Sequence, residues 1–180
     1  MNLYAPVPNF DEPIDALYIC HDNILRRMDS IRHMADQIAT DGDGAFSGQI
    51  ESWREIFSFI DHSIANHTRD EEEGLFPMLR DRLGAPVREM ETQHDWAEET
   101  ERWLRERFEL LIDADDRAGM LPEFIRRATE LARFYEAHIA LENETIFPEA
   151  RTALAGEQLA ELGRLMRAHR RITIDLPAGL

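Results

Sequence analysis

The chain has 180 residues, 36 acidic against 20 basic, for a formal net charge of −16, a length that fits one domain able to bury a core without disulfides. Its single cysteine, Cys20, excludes an internal disulfide. Basic residues gather only in short pairs such as Arg126-Arg127 and Arg170-Arg171, which disfavours nucleic acid as a partner, and no stretch approaches the roughly 18 unbroken apolar residues of a membrane span.

Taken in chain order, Met1 to Pro13 holds Pro6, Pro8 and Pro13 and predicts an extended arm. The first twenty residues carry neither a basic segment nor an uninterrupted apolar one, so no secretory signal is expected and a reducing cytoplasm is the expected setting. Helix one starts near Pro13, buries Ile14, Leu17, His21, Ile24, Met28 and Ile31, and ends at the turn residues Thr40 to Gly44. Helix two is expected from about Ser47 to Arg82, with Trp53, Ile56, His67 and Glu71 on its inner stripe and Pro77 kinking or stopping it. Pro86 suits the first turn of helix three, whose inner face carries Val87, Met90, His94, Ala97, Leu104 and Phe108. Helix four follows from about Leu121 with Phe124, Leu131, Tyr135, His138 and Glu142 on one stripe, closed by Pro148. A further helix over about 156–174 presents Leu159, Leu162, Leu165 and Met166. With no alternating β-branched runs, the chain is expected to be all-α. The architecture expected is one domain over 1–180: an antiparallel up-down-up-down four-helix bundle over about 13–150, with the extended arm and the additional C-terminal helix.

A repeat runs through these helices. His67-x-x-x-Glu71 followed by Leu75-Phe76-Pro77 returns as His138-x-x-x-Glu142 followed by Ile146-Phe147-Pro148, and upstream Cys20-His21-Asp22 is echoed by Gln93-His94-Asp95. A His and a Glu four apart project from one helical face about 6 Å apart along the axis, so the imidazole can hold one metal while the carboxylate reaches toward a second. His21, His67, Glu71, His94, His138 and Glu142 are therefore the candidate ligands, with Glu71 and Glu142 as bridges, His21 and His67 on one metal, and His94 and His138 on the other. A lone His on an apolar stripe is commonly a hydrogen-bonded core residue. Four of them at one level, two with an inward Glu, carry a desolvation cost that pairing or metal must offset.

Imidazole with carboxylate and no thiolate suits iron, manganese or zinc, and carboxylate-bridged pairs inside bundles are characteristically di-iron or di-manganese. An oxo or hydroxo group from solvent could complete the bridge. Glu98, four after His94, is a possible additional ligand whose mirror position is Leu25, so the two metals need not be equivalent. Asp70 and Glu72 read as parts of a solvated acidic run, His169 as a packing residue, and His33 and His62 as surface residues. Tyr18 and Tyr135, one turn before His21 and His138, stand near the site or fill core.

These residues resemble the hemerythrin-like (HHE cation-binding) family over about 13–150, through both His-x-x-x-Glu motifs with their Phe-Pro and through His21 and His94 at the single-histidine positions. The resemblance implies a bundle holding two irons bridged by Glu71 and Glu142. Oxygen-carrying members place a second His four after the one on helix three, where this chain has Glu98, and end with His-x-x-x-x-Asp rather than His138-x-x-x-Glu142. Anionic ligands stabilise ferric iron, so reversible oxygen carriage is not the expectation. The expected function is a non-heme di-iron protein reacting with O2 or NO in sensing, storage or stress response. The alternatives are a di-iron oxidoreductase and a structural or zinc-bound bundle.

Overall fold

Pro13, with no N–H to satisfy and its φ already helical, opens the first helix of the computed structural model, which describes residues 8–171. Helix α1 spans Pro13–Asp41 and stops at Gly42, whose φ of +67° suits a residue without a Cβ. A short helix α2, Asp43–Gly48, leads into a long broken helix: α3 (Ile50–Phe59), a π-helical turn π1 (Ile60–Ile64), α4 (Ala65–Arg69), a second π turn π2 (Asp70–Leu75) and α5 (Phe76–Leu79). Then come α6 (Gly84–Asp113), α7 (Leu121–Leu141), a third π turn π3 (Glu142–Ile146), α8 (Phe147–Ala153) and α9 (Glu157–His169). The described residues are helical throughout apart from turns and short connections, as the sequence periodicity predicts. Residues 1–7 of the expected arm, and 172–174 of the expected last helix, lie outside the described residues.

The helix expected from about Ser47 to Arg82, kinked or stopped by Pro77, differs in two respects. Asp43–Gly48 forms a separate helix, and the two motif segments are π-helical just before their prolines. For the two motif turns the physical reason is the proline that follows, which π1 lacks. Pro77 and Pro148 offer no N–H to the carbonyls four residues earlier, so the turn ahead of each is released from i→i+4 bonding and widens.

Two apolar clusters fill the interior. The larger includes Ile24, Met28, Ile31, Trp53, Ile56, Leu104, Phe108, Phe124 and Leu131; the smaller includes Ile14, Leu17, Leu75, Phe76, Val87, Met90, Ile146, Phe147, Leu162 and Met166. A fully buried side chain of this size contributes about 1.5–3 kcal/mol. Helix α1 packs most extensively along α7, and α6 also packs along α7. Small buried residues on the facing helices, Ala35 on α1 and Ala128 and Ala132 on α7, allow that close approach.

Helix α9 lies across π2 and α1. Two glycines make room for it: a Cβ at Gly74 would come within 2.8 Å of Leu162, and one at Gly163 within 2.1 Å of the Phe10 carbonyl oxygen. The segment before α1 is thereby seated on α9.

Candidate metal centre

On each of the four long stretches, the predicted ligands fall at the junction of the two apolar clusters. His21 sits between Leu17 and Ile24, His67 and Glu71 between Ile64 and Leu75, His94 between Met90 and Ala97, and His138 and Glu142 between Tyr135 and Ile146. All six are buried, Glu71 and Glu142 completely.

Donor atoms of His21, His67, Glu71 and Glu142 lie within 4.8 Å of one another, and those of His94, His138 and Glu142 do likewise, so Glu142 belongs to both groups. Glu71 Oε1 stands 3.4 Å from His67 Nε2 and 3.9 Å from His21 Nε2, while its Oε2 is 3.5 Å from His94 Nε2. Glu142 Oε2 is 3.2 Å from His21 Nε2 and 3.3 Å from His138 Nε2. Each carboxylate thus faces imidazoles from both halves of the repeat.

The hydrogen-bond accounting favours a cation at this place. His138 Nδ1 donates to Gln93 Oε1 at 2.9 Å, and the Gln93 amide is oriented by its own Nε2 donating to Glu89. His94 Nδ1 donates to Glu72 Oε1 at 2.9 Å, and His21 Nδ1 to Asn143 Oδ1 at 2.8 Å. With Nδ1 carrying the proton, the Nε2 atoms of His94 and His138 present lone pairs to each other across 3.2 Å. His21 Nε2, both nitrogens of His67 and all four carboxylate oxygens of Glu71 and Glu142 are buried without a hydrogen-bond partner among the described residues. Orphaned acceptors at this density are what a metal ion satisfies.

Electrostatics agree. Burial holds the His67 imidazole well below its ordinary range, helped by His21 and His94, and burial lowers His138 to about 4. Both are neutral, the form that ligates. Burial, then the neighbouring Glu142 carboxylate, pushes Glu71 well up. Burial pushes Glu142 the same way, but the His21 imidazole 3.2 Å away and those of His138 and His94 outweigh it, and the net shift is downward.

Three rings stack flat on these imidazoles. Phe147 lies on His21 at 4.7 Å and 15°, Phe76 on His94 at 5.8 Å and 11°, and Phe134 on His138 at 5.5 Å and 17°. Three of the four imidazoles are thus backed by an aromatic ring.

Glu98 does not join the cluster; its side chain is exposed and faces Arg102 at 3.6 Å. His33 and His62 are exposed as expected. Tyr18 packs edge-on against Phe147, and Tyr135 donates to Glu101 Oε1 at 2.6 Å. The sequence reading of Asp70 is corrected, and Glu72 and His169 have partners that it did not foresee. Asp70 is completely buried, bound by His169 Nδ1 at 2.8 Å and by Arg170 at 2.7 Å, and Glu72 holds His94. Gln93 and Asn143 were also missed. Only Gln93 had a signal in the repeat, standing before His94 as Cys20 stands before His21; Asn143 aligns with Glu72, itself read as solvated. Burial, the largest influence on Cys20, pushes its thiol up to about 11, so it stays protonated.

A cavity of about 400 Å³ opens beside His94, lined among others by Thr68, Glu72, Glu98, Glu101 and Tyr135. Burial, followed by Glu98, raises the half-buried Glu101 carboxyl to about 7 against the hydrogen bond from Tyr135; Arg105 lowers it and Asp61 raises it. The folded state therefore binds more protons than the unfolded chain from about pH 4.5 to about pH 7. Stability from this group is complete below that window and is lost as pH rises through it. Relative to wild type, Glu101→Gln is expected to cancel a loss of about 1–2 kcal/mol between pH 5 and 8 after solvent screening, read from denaturant melts of metal-free protein. Parallel pH profiles for the two proteins contradict it.

Comparison with known proteins agrees with this geometry. An uncharacterized protein of Haemophilus influenzae is 28% identical over 166 residues, covering 91% of this chain and 92% of its own length. The iron-sulfur cluster repair proteins YtfE of Cronobacter sakazakii and Escherichia coli are 30% and 28% identical over 105 and 104 residues. Those matches cover 56% of this chain and 46% of the YtfE proteins, less than half their length. The hemerythrin HHE cation-binding domain matches residues 12–150, a span that takes in all six converging ligand candidates. With both His-x-x-x-Glu segments inside that match, the chain belongs to the hemerythrin HHE cation-binding family.

Proposed function

We propose that this chain is a non-heme di-iron protein that reacts with O2 or NO in sensing, storage or stress response, with His21, His67, Glu71, His94, His138 and Glu142 as its ligands. The observation that carries this reading is the pair of donor groups sharing Glu142, with their lone pairs turned inward and unpartnered. The four long stretches, read as one domain, form an antiparallel up-down-up-down bundle around that layer. The lone cysteine fits a reducing cytoplasm, and no described helix is long and apolar enough to cross a membrane. Iron is favoured over manganese or zinc by the family and by the repair function in the names of the YtfE relatives.

Iron held there would supply one-electron redox chemistry and a coordination position for a diatomic ligand. The protein's own part is to present neutral imidazoles, to span both positions with Glu71 and Glu142, and to back three of the imidazoles with Phe76, Phe134 and Phe147. The cavity beside His94 favours a second reading, a di-iron oxidoreductase with multiple turnovers, because it gives a small substrate access to one side of the centre.

Protein purified without added metal is expected to carry about two irons per chain. Anaerobically reduced protein mixed with O2 or NO in a stopped-flow spectrometer should then react faster than free ferrous iron. A single stoichiometric event supports the binding reading, and repeated cycles with a supplied reductant support the oxidoreductase. Purified protein containing zinc alone, or none of these metals, would remove both.

A further inference from the structure

In both repeats, the residue after the inward glutamate and the phenylalanine four positions later grip one imidazole, and it belongs to the other repeat. Glu72 accepts from His94 Nδ1 while Phe76 lies on the His94 ring; Asn143 accepts from His21 Nδ1 while Phe147 lies on the His21 ring. A hydrogen bond alone leaves a ring free to rock, and a stack alone leaves its tautomer open. Together they fix the plane and the proton, and so aim Nε2 at the centre.

The two grips differ in charge. Glu72 is a carboxylate and Asn143 a neutral amide, and a carboxylate sharing the Nδ1 proton makes the imidazole a stronger donor at Nε2. The remaining histidines differ in the same sense: His138 donates to Gln93, whereas His67 Nδ1 has no hydrogen-bond partner, Cys20 standing at the position equivalent to Gln93.

We propose that Glu72 with Phe76, and Asn143 with Phe147, are positioning pairs acting through His94 and His21, and that the carboxylate of Glu72 makes the His94–His138 metal position the one that holds the higher oxidation state. The second part rests on the di-iron reading; the first does not.

Two measurements test it. In metal-free protein, nitrogen NMR of the imidazoles should report the Nδ1–H tautomer at His21 and His94, and Glu72→Ala should lose it at His94 only. An Nε2–H tautomer at His94 in the unaltered protein overturns the positioning role whether or not iron binds. In protein loaded with 57Fe, Mössbauer spectra should resolve two iron components, with Glu72→Gln moving one toward the other and Asn143→Asp moving the second. Glu72→Ala should release metal about ten- to a hundredfold more readily, with Glu72→Gln recovering most of that loss. Components unmoved in both conservative variants, at unchanged iron content, overturn the electronic asymmetry. Glu72 is 39% exposed and glutamine is nearly isosteric, so retained helical circular dichroism is expected. An iron-free wild type sinks the di-iron reading and with it the asymmetry, and leaves the tautomers to judge the positioning pairs.

Discussion

A His67→Ala, Glu142→Ala double variant is expected to keep its helical circular dichroism and lose nearly all bound metal. One imidazole and the carboxylate common to both donor groups disappear, so each position falls to too few ligands. The bundle itself has reason to survive. In the absence of metal, Glu71 and Glu142 are buried carboxyls held by imidazoles alone, and removing one lowers a desolvation cost as well as a contact. Metal stabilises whichever state binds it, by about 4 kcal/mol when free metal is a thousandfold above its dissociation constant. At 2–4 °C per kcal/mol for a chain of this size, chelation should lower the melting temperature of the wild type by roughly 10 °C and leave the variant unmoved. Metal content and melts with and without chelator check both halves. A variant that keeps wild-type metal would show that other residues hold the ion.

The second large effect involves a buried carboxylate next to a candidate ligand in the chain. Arg170→Ala is expected to destabilise the protein by about 3 kcal/mol, because it strips an ion pair from a carboxylate that is completely buried. Burial raises the Asp70 carboxyl, and the Arg170 and His169 contacts oppose that rise. With Arg170 gone, the charge keeps its desolvation cost and loses its strongest compensation. Adding Asp70→Asn to Arg170→Ala should restore a substantial part of the stability, since a neutral amide is cheaper to bury. Denaturant melts of the single and double variants measure it. A double variant no more stable than Arg170→Ala would mean that Arg170 acts through packing against Phe10, over whose ring it sits at 4.7 Å.

The convergence of the six candidate ligands was legible in the sequence because their spacing coincides with the apolar stripe. His67 and Glu71 are four apart on a face that also carries Trp53 and Ile56, and the same pattern recurs at His138 and Glu142. Asp70, Glu72 and Asn143 were not legible for a physical reason. They flank the inward glutamates in turns that are π-helical, where the angular step per residue is smaller and neighbours of an inward residue also turn inward. A 3.6-residue wheel puts them toward solvent, and four acids in a row from Asp70 to Glu73 reinforce that reading. The prolines that release those turns were visible; what their release does to the residues upstream was not. His169 was read as packing because its acceptor, Asp70, lies 99 residues away in the chain.

The ligand layer also divides the apolar interior into two chambers, and that division bears on how the molecule comes apart. Apolar burial transmits cooperativity only where it is continuous. Between the chambers every long helix carries instead a buried imidazole or carboxyl, and without metal the carboxylates and His67 in that seam lack hydrogen-bond partners among the described residues. The smaller chamber, which includes α9, then has the means to open as its own unit while the larger persists. Metal held in the seam by the proposed ligands would tie histidines and glutamates from both halves of the chain to one point and make the two chambers share one fate. Loading is thus expected to change the number of pieces in which the protein unfolds, as well as the temperature at which it does so.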